Sequence, residues 1–434
     1  MNKPLNANQE FQSDFLSVTE ARTAISAVIH SIQAQARLHE AIESLPLKEC
    51  LGRILASDVL SPINVPANDN SAMDGFAFNG KELDAAQDPV NLRIAGAIYA
   101  GQTHSPSIQM GECIKVMTGA MMPPNCDTVI PQEFTKSSEE GSITFAKDTV
   151  RAGDNRRLCG EDLQAGKPAI QRGRILKASD IGLAASLGIA KLEVYQRIKV
   201  AILSSGDELC SIGVPLQPGK IYDSNRFSLH ACLSKLGFEI IDCGIVHDTP
   251  DDLRQAFMQA AQKADVIISS GGVSVGEADF TKQIMEELGQ VGFWKIAMRP
   301  GRPMAFGSLK PVSPKTAPTV FFGLPGKPVA VMVTFYQFVR NALLHLNGAL
   351  NPEIPLVSIQ SAEAIRKKSG RTEFQRGILF RDPEGRLLVK STGSQGAGIL
   401  RSMSEADCFM ILHHHQGNIA PGDWVDVEIF DGLL

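Results

Sequence analysis

The chain reads as a multidomain α/β plus β protein: a central doubly wound parallel α/β domain, an N-terminal mixed domain with an inserted β module, and a C-terminal β domain. Three observations predict it. From Lys199 onward, short apolar runs that end in glycine- or proline-bearing loops alternate with helical patterns, the signature of successive β-α-β units. Between Val90 and Val150, and again after Asn351, short apolar stretches are separated by turn residues and carry no helical period. The length of 434 residues exceeds one ordinary domain and predicts about three. The expected boundaries are 15–60 with 158–195 for the mixed domain, 61–157 for the inserted module, 196–348 for the α/β domain and 349–434 for the last.

Composition narrows the partner. Charged residues make up 21 % of the chain and the net charge is -5, which argues against a general nucleic-acid or membrane-surface binder and favours a small molecule. The eight cysteines (Cys50, Cys113, Cys126, Cys159, Cys210, Cys232, Cys243 and Cys408) lie far apart with no C-x-x-C pair. Neither a zinc cage nor a disulfide framework is suggested, so reduced and mostly buried thiols are expected. The polar start MNKPLNANQEFQSD has no apolar leader core, and no uninterrupted apolar run reaches about 18 residues. A cytoplasmic location is the expectation.

Taken in order, residues 1–14 are polar and predict no fixed structure. Ser17-x-x-Glu20 reads as a capping box opening a helix whose apolar face carries Ile25, Val28, Ile29 and Ile32. A second short helix is predicted from Leu47 to Leu55. From Ser61 to Gly75 the run SPINVPANDNSAMDG resists helix, because proline and the residue before it avoid the α region. Long polar loops in compact chains tend to carry function. Strands are predicted at Leu92–Ala95, Cys113–Met117, Thr128–Ile130 and Ser142–Phe145, and Ser179 is read as the cap of a helix stopping at Gly188. The N-terminal helices are expected to join this returning segment.

The alternation then runs strand Val200–Leu203, helix Asn225–Leu236, strand Glu239–Ile241, helix Asp251–Ala264, a strand from Val266, helix Thr281–Leu288, strand Phe293–Ala297, an apolar segment Val320–Phe322 and a helix from Pro328. In the C-terminal domain Asp382-Pro-Glu-Gly385 and Gln416-Gly-Asn418 mark turns.

Ligands of open α/β sheets bind at the carboxyl ends of the strands, so the loops there carry the functional reading. Ser269-Ser-Gly-Gly-Val-Ser-Val-Gly-Glu-Ala-Asp279 can line backbone N–H groups and a helix N-terminus on an anion, which makes Ser269, Ser270, Gly271, Gly272, Ser274 and Gly276 candidate phosphate contacts. An ordinary tight βα turn is the competing reading. Glu208, Asp248 and Asp279 arrive on three loops and are hard oxygen ligands suited to Mg²⁺ held jointly with phosphates, although a single acidic residue at a helix start also serves as a cap. Lys295, Arg299, Arg302 and Lys327 can neutralise phosphates or another oxyanion. No G-x-x-x-x-G-K-[ST] occurs and no G-x-G-x-x-G follows a strand, so any phosphate site is of another kind. His413-His414-His415 reads as surface in preference to a metal tract, because three consecutive strand residues alternate faces, and Arg156-Arg157 reads by composition as a solvated pair in preference to an anion contact.

Beyond these loops, Asn70-Ser-Ala-Met-Asp-Gly75, Met117-Thr-Gly119, Gly160-Glu-Asp162, Ser205-Gly-Asp-Glu208, Tyr222-Asp-Ser-Asn225, the Ser269–Asp279 loop and Gly323-Leu-Pro-Gly326 occur in one order along nearly the whole chain. Together they resemble the MoeA family, the molybdopterin molybdenumtransferases, related to the gephyrin E domain. The resemblance implies a molybdopterin-binding central domain and transfer of molybdate into adenylylated molybdopterin, with AMP released in a Mg²⁺-dependent step. It also implies an elongated homodimer of four-domain subunits with the site between the α/β domain of one and the N-terminal loops of the other, and possible contacts with cofactor-pathway proteins. Carried over by motif, Asp74, Thr118 and Asp162 belong to the N-terminal side of the site and Glu208, Asp248 and Asp279 to the α/β side, with Pro325 and Pro328 shaping the adjoining loop. Lys327 departs from the asparagine frequent in the family and Arg302 from the lysine frequent there; both keep or add positive charge, but arginine and lysine are not geometrically equivalent. Two other functions stay open from sequence alone: a non-catalytic dimeric scaffold, and the adenylyltransferase that precedes insertion.

Overall fold

The computed structural model describes residues 15–36, 41–85, 87–103, 107–138, 141–272, 280–313, 315 and 317–430. Within them the chain forms two compact units: Met1–Ser57 with Arg172–Ile181 and Ala190–Leu434, and Asp58–Gln171 with Gly182–Ile189.

The first unit is built on a six-stranded sheet of β1 (Lys199–Ser205), β2 (Glu239–Val246), β3 (Val266–Ser270), β4 (Gly289–Lys295), β5 (Pro303–Leu309) and β6 (Thr319–Leu324), in the order β2-β1-β3-β6-β5-β4. Alternate residues of the central strands enter different cores. Val200, Ile202, Val266, Ile268, Val320 and Phe322 join one, and Ala201, Leu203, Ile267 and Phe321 the other. A sheet buried on both faces needs helices on both faces. The first core takes α1 (Val18–Ala36) through Ile25 and Ile29, α2 (Asn225–Lys235) through Leu229 and Leu233, and α5 (Pro328–Thr334) through Val329, Val331 and Val333. The second takes α3 (Pro250–Lys263) through Leu253 and Phe257 and α4 (Phe280–Leu288) through Ile284 and Met285. The arrangement is doubly wound, as the alternation predicts.

Local chemistry accounts for the ends of these elements. Ser17 N donates to Glu20 Oε2 at 2.7 Å and Glu20 N to Ser17 Oγ at 3.2 Å, so the capping box at the start of α1 is formed in both directions. Helix α5 continues through a widened π turn, Phe335–Val339, into Arg340–Leu346. The Pro328–Leu346 helix is long and apolar enough to cross a membrane, and 72 % of its apolar window is buried inside the protein.

Three expectations are corrected here. The sheet is not wholly parallel: β1, β2, β3 and β6 are, but β5 runs antiparallel to β6 and β4 antiparallel to β5. The stretch after α4 is thus a β hairpin, with a second strand that the Pro- and Gly-containing sequence conceals. The predicted helix Leu47–Leu55 is only a 3₁₀ turn, Leu47–Glu49. Gly52, at φ +73°, breaks it, and Ile54 and Leu55 bridge instead to Ile175 and Val194. Ser179 sits inside the helix Ala178–Ser186, where Asp180 Oδ2 accepts Lys177 N at 2.9 Å and does the capping. An unpredicted strand, Ile42–Pro46, pairs antiparallel with Lys191–Tyr195.

The C-terminal strands β7 (Val357–Ser361), β8 (Thr372–Arg381), β9 (Leu387–Ser391), β10 (Cys408–Leu412) and β11 (Trp424–Ile429) close on themselves in the ring β8-β9-β7-β11-β10-β8. Closure leaves a barrel around Ile359, Val389, Met410, Val425 and Val427. One short strand, Met298–Arg299, is added in parallel to β8.

The second unit holds another six-stranded sheet, in the order Thr128–Pro131, Gly75–Phe78, Glu112–Val116, Val90–Ile98, Ser142–Phe145 and Lys136–Ser137. Phe76, Phe78 and Ile130 face one small core while Ala77 and Val129 face another. The four strands predicted in this stretch are present.

Candidate active site

Strands β1, β2, β3, β4 and β6 all end at one edge of the large sheet, and the loops leaving them help enclose a cavity of about 950 Å³. Ser205, Gly206 and Glu208 follow β1, Asp248 follows β2, and Gly271 and Gly272 follow β3. The turn of the β4–β5 hairpin supplies Met298 to Pro303, and Pro325, Gly326 and Lys327 follow β6. Two glycines make the walls possible. A Cβ on Gly271, whose φ is +91°, would lie 2.3 Å from the Ser205 carbonyl oxygen, and one on Gly206 would lie 2.6 Å from Glu208 Oε2.

Of the residues singled out from sequence, Glu208, Asp248, Gly271, Gly272, Arg299, Arg302, Pro325 and Lys327 line this one cavity. Ser269 and Ser270 are buried at the end of β3, and the Ser269 hydroxyl has no partner among the described residues. Pro328 is the first residue of α5 and Lys295 is exposed at the end of β4; neither is on the cavity wall. Ser274, Gly276 and Asp279 lie outside the described residues.

The sequence reading missed what the barrel contributes. Arg371, Gln395 and Ala397 line the same cavity. The available signal was the glycine-rich run Thr392-Gly-Ser-Gln-Gly-Ala-Gly398, which sits between strand patterns much as the earlier glycine loop does. Gln395 is held by Arg376, whose backbone N donates to Gln395 Oε1 at 2.8 Å. The Arg376 side chain is fully buried, giving hydrogen bonds to Ser402 Oγ at 3.0 Å and to the Gly396 carbonyl at 3.2 Å. Burial, with the nearby Arg299 charge, pushes its pKa down to about 10.

Four cations (Arg299, Arg302, Lys327 and Arg371) therefore face the cavity against two carboxylates, Glu208 and Asp248. Arg371 is paired with Glu373, Nε to Oε1 at 2.8 Å, and Arg302 lies over the Phe15 ring at 5.0 Å. Asp248 Oδ1 accepts from Ser205 Oγ at 3.3 Å. Among the described residues no three His, Cys, Asp or Glu side chains gather into a complete metal cage. Two carboxylates suffice for Mg²⁺, which keeps waters and shares its shell with substrate phosphates. The site suits a multiply charged anion that brings phosphate oxygens of its own.

The second unit holds the remaining candidates. Asp74 Oδ1 accepts Thr118 N at 2.7 Å and Thr118 Oγ1 at 2.8 Å, and these bonds hold the carboxyl below the usual range. Asp162 is exposed, its backbone N bonded to the Val65 carbonyl at 3.0 Å. Nearby in sequence, Asp69 accepts from Cys159 N at 2.7 Å and Arg156 Nε at 2.9 Å, which lowers its pKa as well. Arg156 is thus an ion-paired residue and not the solvated one expected, while Arg157 is exposed. Asn70 Oδ1 is buried with no partner among the described residues.

A second cavity in the first unit, of about 720 Å³, lies among α1, the π turn and the barrel, but its polar groups serve one another. Arg22 donates to the Gln337 carbonyl and side chain, and Gln337 Nε2 donates to Glu428 Oε2 at 3.0 Å. His413 and His415 are exposed as expected, with His413 Nε2 2.8 Å from Asp426 Oδ2.

Residues 201–345, which hold the two-sided α/β sheet and most of the cavity at its carboxyl edge, match a probable molybdopterin binding domain. Residues 16–188 match the MoeA N-terminal region, domains I and II, and residues 358–430 the MoeA C-terminal region, domain IV. The chain is 42 % identical over 393 residues to the molybdopterin molybdenumtransferase of Haemophilus influenzae, covering 90 % of this chain and 95 % of that one. It is 35 % identical to the one from a Nostoc species, over 83 % and 82 % of the two chains. A crystal structure of a molybdopterin biosynthesis MoeA protein from Pyrococcus horikoshii OT3 superposes with TM-score 0.76 at 25 % identity, over 96 % of this chain and all of that one. The chain belongs to the molybdopterin molybdenumtransferase family, transferases of molybdenum cofactor biosynthesis.

Proposed function

We propose that this protein transfers molybdate into adenylylated molybdopterin, releasing AMP and forming molybdenum cofactor. The observation that carries the reading is the cavity at the carboxyl edge of the sheet, where four cations outnumber two carboxylates and the walls are glycine backbone. Arg299, Arg302, Lys327 and Arg371 bind and orient oxyanions: the phosphates of the nucleotide and the incoming molybdate. Gly271 and Gly272 let the loop after β3 pack against the Ser205 carbonyl and the Thr281 side chain at positive φ, which places their backbone on the cavity wall for a phosphate to meet. Glu208 and Asp248 would hold Mg²⁺, with Asp279 expected from sequence to join them. When bound, the ion neutralises phosphate charge as the AMP leaves. Asp248, fixed by the Ser205 hydroxyl, keeps its oxygens turned to the cavity side of β2.

Asp74, Thr118 and Asp162 complete the proposed site in a homodimer, where the loops of one protomer's second unit meet the cavity of its partner. The pairing of Thr118 with Asp74 leaves a fixed, ionised carboxylate on offer at neutral pH. The proposed setting is the cytoplasm, with cofactor-pathway proteins as macromolecular partners.

The test is AMP release from adenylylated molybdopterin by the purified protein, with and without molybdate and Mg²⁺. Release that requires both is expected. No release from a folded, substrate-binding protein would overturn the reading.

A further inference from the structure

We infer that Asn225 is a positioning residue that fixes the two neighbouring glycine loops of the cavity wall, those after β3 and β6, against each other. The inference rests on the proposed reaction for its kinetic arm only.

Asn225 opens α2 and is 8 % exposed. Its Nδ2 donates to Ser270 Oγ at 2.7 Å and to the Gly326 carbonyl oxygen at 2.8 Å. The Gly326 carbonyl can only accept, so the amide has one orientation, and both its protons are spent on the two bonds. Ser270 ends β3 and immediately precedes Gly271 and Gly272; Gly326 lies between Pro325 and Lys327. One side chain thus ties together the two loops that follow β3 and β6. They are close: a Cβ on Gly326 would lie 3.9 Å from the Gly271 Cα, and Gly271 N already donates to the Leu324 carbonyl at 3.1 Å.

The clamp is itself anchored. Asp223, 1 % exposed, accepts Ser204 Oγ at 3.0 Å and Arg226 Nε at 3.0 Å, fastening the start of α2 to the end of β1. Within Asp223–Arg226, then, one short segment reaches the ends of β1, β3 and β6, the strands whose loops build the cavity. The amide is not there for helix capping, since the first residue of α2 could be any good helix former. Its Oδ1 is buried with no partner among the described residues, a cost that the two donated bonds must outweigh. An alanine would remove both side-chain bonds and leave the β3–β6 ladder, which ends at Ser270 and Leu324, with the Gly271 N to Leu324 carbonyl bond to hold the two loops.

The experiment compares wild type with Asn225→Ala, Ser270→Ala and the double variant. Hydrogen exchange at Gly271, Gly272, Gly326 and Lys327 is expected to speed about tenfold in Asn225→Ala, while β8 and β10 of the barrel keep their protection. In AMP release, normalised to folded protein, kcat/KM is expected to fall about 100-fold in Asn225→Ala, as a displacement on the order of 1 Å does. Ser270→Ala should cost less, and the double variant no more than Asn225→Ala alone, because both remove one clamp. Additive losses, or exchange that speeds equally throughout the unit, would reduce Asn225 to a general packing residue and overturn the inference. If wild type releases no AMP, the exchange arm still decides the clamp, and the proposed function fails separately.

Discussion

The cavity loops of the first unit and the acidic loops of the second treat charge in opposite ways. In the second unit the low-pKa carboxylates are met inside the fold: Asp74 by Thr118, Asp69 by Cys159 N and Arg156, Glu112 by Gln109 N and Arg93. At the cavity, Arg299, Arg302 and Lys327 have no carboxylate partner among the described residues, and the buried Arg376 behind them adds a further uncompensated charge. A satisfied ion pair holds a loop, whereas exposed like charges are solvated by water and stay available to an anionic ligand. The Asp69–Arg156 pair is architecture; the cavity is a site that an anion can complete.

Substitutions can break this contrast. Arg299→Ala should lower kcat/KM for AMP release by about 10²- to 10³-fold while leaving the thermal transition nearly where it was, because the charge it removes is spent on ligand. A large loss of stability instead would show that Arg299 is structural. Asp69→Asn should do the reverse, destabilising the second unit by about 2 kcal/mol at pH 7 with its charge-assisted bonds to Arg156 and Cys159 N weakened. The pH dependence follows from the sign of the shift. A carboxyl held below its ordinary value stabilises the fold above the unfolded-state pKa, and that stability disappears as pH falls through the lowered folded value. The gap between Asp69→Asn and wild type should therefore be widest near neutrality and close in acid; a gap independent of pH would remove the ionic interpretation.

The smallest effect sharpens the comparison most. Lys327 stands at the N-cap of α5, where it makes no side-chain cap bond and puts a cation at the positive end of the helix. Lys327→Asn should raise helix stability by about 1 kcal/mol through a restored cap. It should also raise the KM for molybdate about tenfold through the lost charge. Melting and kinetics moving in opposite directions would mark a residue kept for the ligand at the expense of the fold.

Much of this was legible in the sequence. Ser17 and Glu20 announce α1, and the period-breaking glycine and proline loops announce the carboxyl edge of the sheet, so Glu208, Asp248, Gly271, Arg299 and Lys327 could be grouped before any coordinates. What stayed hidden has physical reasons. Strand β5 begins at a proline and carries Gly307 in its middle, both weak strand formers, yet β6 on one side and β4 on the other supply the pairing that local propensity does not. Arg371 and Gln395 reach the cavity only because the barrel closes and stands against the hairpin turn, a long-range register that no local pattern encodes. Arg156 looked solvated because its partner Asp69 lies 87 positions away.

The two-residue strand Met298–Arg299 has one more consequence. It runs beside β8 with Arg299 opposite Glu373, and Thr372 N reaches back to the Ala297 carbonyl at 2.9 Å. Arg371 immediately precedes β8, so Arg299 from the hairpin turn and Arg371 from the barrel stand two positions apart along a single ladder. Strand spacing of about 4.8 Å and two residues of rise, about 3.3 Å each, set the distance between their backbones. The backbones that carry the two guanidinium groups are therefore coupled, sheet edge to barrel, by one hydrogen-bonded ladder.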